Sequence, residues 1–153
     1  MDEESKEKID PFNDVVLDSR FLAEPPAQYN RDKDFTSLEA WQKARDVKLF
    51  IYEEIIDQLP SEERYALNQQ LRRAAISITA NIAEGYGRFH YQESLQFYRI
   101  ARGSLYELKD HLISCADLKY ITDDTLKMGH ELIEEAKVRL NGFINYIRKK
   151  LKS

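Results

Sequence analysis

The residues that could do chemistry are few, and their spacing tests each chemistry in turn. His111 and Cys115 stand four positions apart, so a helix would place them one turn from each other, as half of a zinc site. No second pair completes it. Carboxylate-bridged metal centres in helical bundles need Glu three residues ahead of His on two helices. Here His90, His111 and His130 have Gly87, Leu108 and Lys127 at that position. Ser77 and Ser104 have no histidine nearby in sequence to act as a base, and they read as small residues at helix contacts. Gly85-Tyr-Gly87 follows a helical pattern instead of opening a helix after a strand, so it is no phosphate cradle. The expectation is a protein that is not an enzyme, with no cofactor and no metal.

Two polar groupings remain. Arg73, Ser77, Asn81 and Glu84 recur at steps of three and four, forming a row beside the apolar row Leu71, Ala74, Ala75, Ile78 and Ile82. Such a row is either an internal hydrogen-bonded ladder or a binding face. As a ladder, Arg73 and Glu84 would pair with Glu107 and Arg102 of the next helix, because an unpaired buried charge is costly. The second grouping is basic: Arg64, Arg72, Arg88, Arg99 and the run Arg148, Lys149, Lys150 and Lys152. Tyr86, Phe89, His90 and Tyr91 flank Arg88. Aromatic rings beside arginine suit single-stranded or looped RNA. Against this, seventeen acidic residues share residues 36–153 with eighteen basic ones, well short of a strongly basic footprint.

The elements that must position these groups are helices. Thr36-Ser-Leu-Glu39 predicts a capping box opening helix one, with Trp41, Ala44, Val47, Ile51, Ile55 and Leu59 as its core stripe and Pro60 as its stop. Helix two is predicted from Ser61 to about Glu84, ended by Gly85 and Gly87. Helix three carries Leu95, Tyr98, Ala101, Leu105, Leu108, Leu112 and Cys115 in a near-heptad pattern. Gly103 inside it predicts close backbone contact with helix two, since glycine costs a helix about 1 kcal/mol against alanine. Helix four, capped by Thr122, lines its core face with Leu126, Ile133, Ala136, Leu140, Phe143, Ile147 and Leu151. Four amphipathic helices with short connections predict an all-α, antiparallel up-down-up-down four-helix bundle over 36–153.

The stretch RRAAISITANIAEG, Arg72 to Gly85, resembles the signature of the four-helix-bundle proteins encoded in intervening sequences of bacterial 23S rRNA genes. Ala101-Arg-Gly-Ser-Leu-Tyr-Glu-Leu108 resembles that family's second signature, and Ala40-Trp-Gln-Lys-Ala44, Leu59-Pro60 and Glu63-Arg64-Tyr65 match further positions. The resemblance extends over roughly residues 37 to 150. The family is similar to the accessory variability proteins of diversity-generating retroelements, pentameric barrels that bind a reverse transcriptase and nucleic acid. It implies a homopentamer, an RNA or DNA ligand and a protein partner such as a reverse transcriptase.

Composition bounds the rest. The chain has 153 residues and a net charge of −4, and residues 1–35 hold ten acidic and five basic residues, so the acidity belongs to that extension. Met1 to Asp10 is charged enough to predict disorder, whereas Phe12 to Leu22 is apolar enough to dock on the bundle or on a neighbouring subunit. A single cysteine, no signal pattern and no membrane-length apolar run predict a cytoplasmic protein. Leu49, Phe50, Tyr52 and Ile56 on helix one, and Met128, Leu132 and Tyr146 on helix four, fall outside the core stripes and predict subunit contacts. Taken with what the family resemblance implies, these observations predict an RNA-binding accessory protein that acts as an oligomer without catalysis. The alternative is a protein-interaction scaffold that binds no nucleic acid.

Overall fold

The computed structural model describes residues 34–153 except Phe89. The expectations for Met1 to Asp10 and Phe12 to Leu22, and the aromatic role of Phe89, lie outside the described residues. Four helices fold in order: α1 (Glu39–Phe50), α2 (Leu67–Tyr86), α3 (Tyr91–Asp117) and α4 (Asp123–Lys152). Each packs against its sequence neighbours, and α4 returns to α1, closing a four-cornered antiparallel bundle. Among the described residues there is no strand.

The core is what the helical periods require. Leu71, Ala74, Ala75, Ile78 and Ile82 of α2 and all seven residues of the α3 stripe are buried. They meet Ile133, Ala136, Leu140, Phe143 and Ile147 of α4. Tyr98, Phe143 and Tyr146 form a ring series, with centroids 4.9 and 6.4 Å apart. Leu151, by contrast, is exposed at the last turn of α4.

Helix one departs from the uniform stripe. After Phe50 the chain makes a π-helical turn, Ile51–Ile55, and then a 3-10 turn, Ile56–Gln58. A π turn takes an extra residue per turn, so the inward face rotates along the sequence. Phe50, Ile51, Ile55 and Ile56 are consequently all buried. Phe50 and Ile56 are core residues, not subunit contacts, and Leu49 and Tyr52 are half-buried. On α4, Tyr146 is buried and Leu132 packs on the core, leaving only Met128 exposed of the three residues expected outside.

The ends are also shifted. Asp34 caps a 3-10 turn, Phe35–Ser37, by accepting from the Thr36 amide at 2.9 Å and from its hydroxyl, so the Thr36–Glu39 capping box does not form. Glu63 accepts from the Leu67 amide at 3.1 Å, which starts α2 six residues after Ser61. At the end of α3, Tyr120 donates to the Cys115 carbonyl at 2.9 Å and Lys119 to that of Ala116 at 3.0 Å. This is a Schellman closure with Lys119 at φ 64°, where glycine is the usual residue. Thr122 caps α4 as expected, accepting from the Thr125 amide at 3.2 Å.

Glycine placement corrects two expectations. α2 runs through Gly85, which is buried so closely against α3 that a Cβ there would lie 2.7 Å from a Tyr98 ring carbon and 3.0 Å from Phe97 Cβ. Gly103 is exposed, and a Cβ there would meet nothing within 4 Å. Close approach of α2 and α3 therefore occurs at Gly85, one end of the helix pair, and not at Gly103.

Candidate nucleic-acid interface

Antiparallel topology divides the predicted basic residues between the two ends of the bundle. The C-termini of α2 and α4 share an end with the N-termini of α1 and α3. That end holds Arg88, Arg99 and the Arg148–Lys152 run. Arg64 and Arg72 lie near the start of α2, and Arg72 is sixteen residues, roughly 24 Å of helix, from Arg88. The eight residues do not form one surface.

Along their length, α3 and α4 are held in register by Arg102 Nη1 donating to Asn141 Oδ1 at 3.1 Å and by Lys109 Nζ donating to Glu134 at 3.4 Å. The same register sets Arg99 level with Ile144, about one turn before Arg148. Arg99, Arg148 and Lys152 are exposed, and none of them meets a carboxylate among the described residues. Lys150 lies 5.8 Å from the centroid of the Tyr146 ring. The cations also complement the negative end of the α4 dipole. Arg88, just past the end of α2, differs: its guanidinium donates to Glu84 at 2.8 Å and covers the Phe97 ring at 4.6 Å, so its charge is largely balanced by Glu84.

The polar row splits. Ser77 and Ser104 hydroxyls meet at 2.8 Å across the α2–α3 contact, and Asn81 Nδ2 donates to the Ser77 carbonyl at 2.8 Å and its hydroxyl at 2.9 Å. Arg73 and Glu84 are exposed. The expected Arg73–Glu107 and Glu84–Arg102 pairs do not form, because nearer partners exist. Glu84 takes Arg88 one turn on, Arg102 takes Asn141 of α4, and Glu107 takes His111 at 3.3 Å. Exposure removes the need to pair Arg73 at all.

His111 and Cys115 are separated chemically. The histidine ring engages Glu107, while Cys115 is fully buried, its thiol pushed up to about 11 by burial and by the charge of Glu63. A thiol protonated at neutral pH is a poor ligand and nucleophile.

The sequence model of 23S rRNA-intervening sequence proteins matches residues 36–142, well over half of the chain and the whole bundle except the last turns of α4. The chain belongs to that family. A comparison with curated proteins gives no match. The family match ends before Arg148, so the basic run of this 23S rRNA-intervening sequence protein lies beyond the matched residues. No helix among the described residues is long and apolar enough to cross a membrane.

Two features of this family member escape the sequence patterns. Tyr65 is 80% exposed beside Arg64, in the irregular turn ahead of α2. The adjacent cleft, about 590 Å³, is lined by Arg64, Tyr65, Asn68, Gln69, Arg72 and the α1–α2 connection. Lys137 is the other: it is buried, donates to Glu134 at 2.8 Å and covers the Tyr106 ring at 4.1 Å. The Glu134 bond holds the ammonium above its ordinary range and the carboxyl below its own.

Proposed function

We propose that this protein is a homo-oligomeric RNA-binding accessory protein that performs no catalysis and works in the cytoplasm. One observation carries the RNA reading: Arg99, Arg148 and Lys152 gather at one end of the bundle without carboxylate partners, next to Lys149 and Lys150. In an oligomer, symmetry repeats that end in every subunit, so a near-neutral chain concentrates positive charge along one rim. The rim would take phosphates, which positions a strand without reading its sequence.

Fluorescence anisotropy with single-stranded RNA across a salt series tests this. Replacing Arg148, Lys149, Lys150 and Lys152 with Gln should weaken binding and reduce the slope of log affinity against log salt by about 2–3. No binding by the unaltered protein at low salt would end the RNA reading. The scaffold reading, apolar docking to another polypeptide, would then lead, and its binding would resist salt.

Oligomerisation draws on a different face from the one the sequence suggests. With Phe50 and Ile56 in the core, two of the exposed aliphatic side chains flank the Ser77–Ser104 contact: Ile76 beside Ser77 and Ile100 one turn before Ser104, each 51% exposed. Their burial between subunits would remove apolar surface from water. The number five follows from the family resemblance alone. Light scattering should give about 90 kDa for a pentamer of the 18.0 kDa chain, and Ile76→Glu with Ile100→Glu should lower that mass. A monomeric mass for the unaltered protein at micromolar concentration would overturn the ring. A reverse transcriptase or another protein as a further partner belongs to the same proposal, and co-purification from cells expressing both would test it.

A further inference from the structure

At the end of the bundle away from the basic rim, the chain turns from Ile56 through Pro60 into α2 and leaves a cleft of about 590 Å³. That volume suits a small organic ligand. Its lining is chemically mixed in a specific way. Ile56, Leu59 and Pro60 supply an apolar side, and Arg64 and Arg72 supply two cations. Neither guanidinium meets a carboxylate among the described residues.

One of the two arginines is already oriented. Arg72 Nε donates to Asn68 Oδ1 at 2.8 Å, and the guanidinium lies 5.1 Å from the Tyr52 ring centroid. Its terminal nitrogens are left for a ligand. Arg64 sits 5.5 Å from the centre of the Tyr65 ring. The backbone beneath them is tied down as well. Glu63 accepts from the Leu67 amide with one oxygen and from the Tyr120 hydroxyl, at 3.1 Å, with the other. This links the α1–α2 connection to the α3–α4 connection and limits the ordering that a ligand would have to impose.

Tyr65 is the most exposed large hydrophobic residue described, at 80%, and it makes no core contact that would account for an aromatic ring there. A flat ring that lines the same cleft as two guanidiniums fits a ligand that is itself a flat ring bearing an anion. We propose that this cleft binds a nucleoside monophosphate, the base stacked on Tyr65 and the phosphate held between Arg64 and Arg72. An acidic peptide would satisfy the cations but leave the tyrosine face unused. Asp57 also lines the cleft, so its net charge is +1 and a second or third phosphate is disfavoured. The site is separate from the basic rim and stands or falls without it.

The ligand has two sources with the same chemistry: a free nucleotide, or the phosphorylated 5′ end of an RNA strand. Titration of the isotope-labelled full chain with AMP, followed by backbone amide shifts, should move the signals of Tyr65, Asn68 and Gln69. Adenosine should bind about tenfold more weakly or worse, since charge-assisted bonds to the phosphate are lost. Tyr65→Ala should weaken AMP about tenfold or more while inorganic phosphate still binds, and Tyr65→Phe should keep AMP binding. Arg64→Gln with Arg72→Gln should abolish the preference for AMP over adenosine. Arg148→Gln, Lys149→Gln, Lys150→Gln and Lys152→Gln together should leave AMP binding unchanged, which separates this site from the rim. A 5′-phosphorylated oligoribonucleotide that competes with AMP, where its 5′-hydroxyl counterpart does not, identifies the RNA end as the source. Failure of both oligonucleotides to compete identifies the free nucleotide. No shifts at about 10 mM AMP, or equal AMP binding by Tyr65→Ala, would overturn the proposal.

Discussion

Adding one methyl group at each of two glycines should move stability in opposite directions. At Gly85, a Cβ would fall 2.7 and 3.1 Å from two Tyr98 ring carbons and 3.0 Å from Phe97 Cβ. Comfortable carbon contacts lie near 3.5–4.0 Å, so the neighbours must retreat by about 0.5–1 Å. Tyr98 cannot do so alone. It is 1% exposed and its ring lies 4.9 Å from Phe143, which in turn stacks on Tyr146. Phe97 Cβ is fixed to the α3 backbone and moves only if the helix moves. Overpacking of this kind costs about 1–3 kcal/mol, and the better helix propensity of alanine returns up to about 1. The net expectation for Gly85→Ala is a loss of about 1–2 kcal/mol. At Gly103 no atom stands within 4 Å of the new methyl, so only the propensity acts and Gly103→Ala should gain about 0.5–1 kcal/mol. Urea unfolding followed by far-UV circular dichroism, on variants shown by light scattering to have equal mass, measures both. A Gly85→Ala protein as stable as the Gly103→Ala protein would refute the close approach of α2 and α3 at Tyr98.

Three further expectations follow from local geometry. Lys119 holds φ 64° at the end of α3, so Lys119→Gly should raise stability by about 1 kcal/mol, and a loss in urea unfolding would show that its side chain contributes more than the strain costs. Ser77→Ala removes a partner of both the Ser104 hydroxyl and the Asn81 amide, at a cost of about 1–2 kcal/mol; Ser77→Ala with Ser104→Ala should cost less than the sum of the single changes, and strict additivity would contradict the shared network. His130 has its pKa lowered below 6.5, first by burial and then by the charge of Lys109, although the Lys109 backbone and Glu134 act in the opposite sense. The unfolded chain therefore takes up the proton more readily. This contribution is fully present above pH 6.5 and is lost as pH falls below it, a dependence that His130→Ala should reduce in thermal melts between pH 7 and 5.

Sequence alone determined the four helices, their order and most of the core, because each helix carries an apolar row whose period matches one face. The α3 stripe from Leu95 to Cys115 and the α2 row from Leu71 to Ile82 are buried as their spacing requires. The family was legible in the same α2 stretch, where small and apolar residues must meet α3 closely. Departures from regular period were not legible. The π turn at Ile51–Ile55 brings Phe50 and Ile56 into the core together, and a single periodicity assigns them outside it. Glycine's role was equally hidden: Gly85 and Gly103 read alike in sequence, and only the position of α3 shows that one abuts Tyr98 and the other faces open space. The polar row behaved in the same way. Its spacing put Arg73, Ser77, Asn81 and Glu84 on one side, but a charge takes the nearest partner in space, and Arg88, Asn141 and His111 were nearer than the partners expected for Glu84, Arg102 and Glu107. Likewise the basic residues are a composition in one dimension and two separate ends in three. A helix 20 residues long places Arg72 and Arg88 far apart, and the antiparallel return of α4 brings Arg148 level with the first turns of α3.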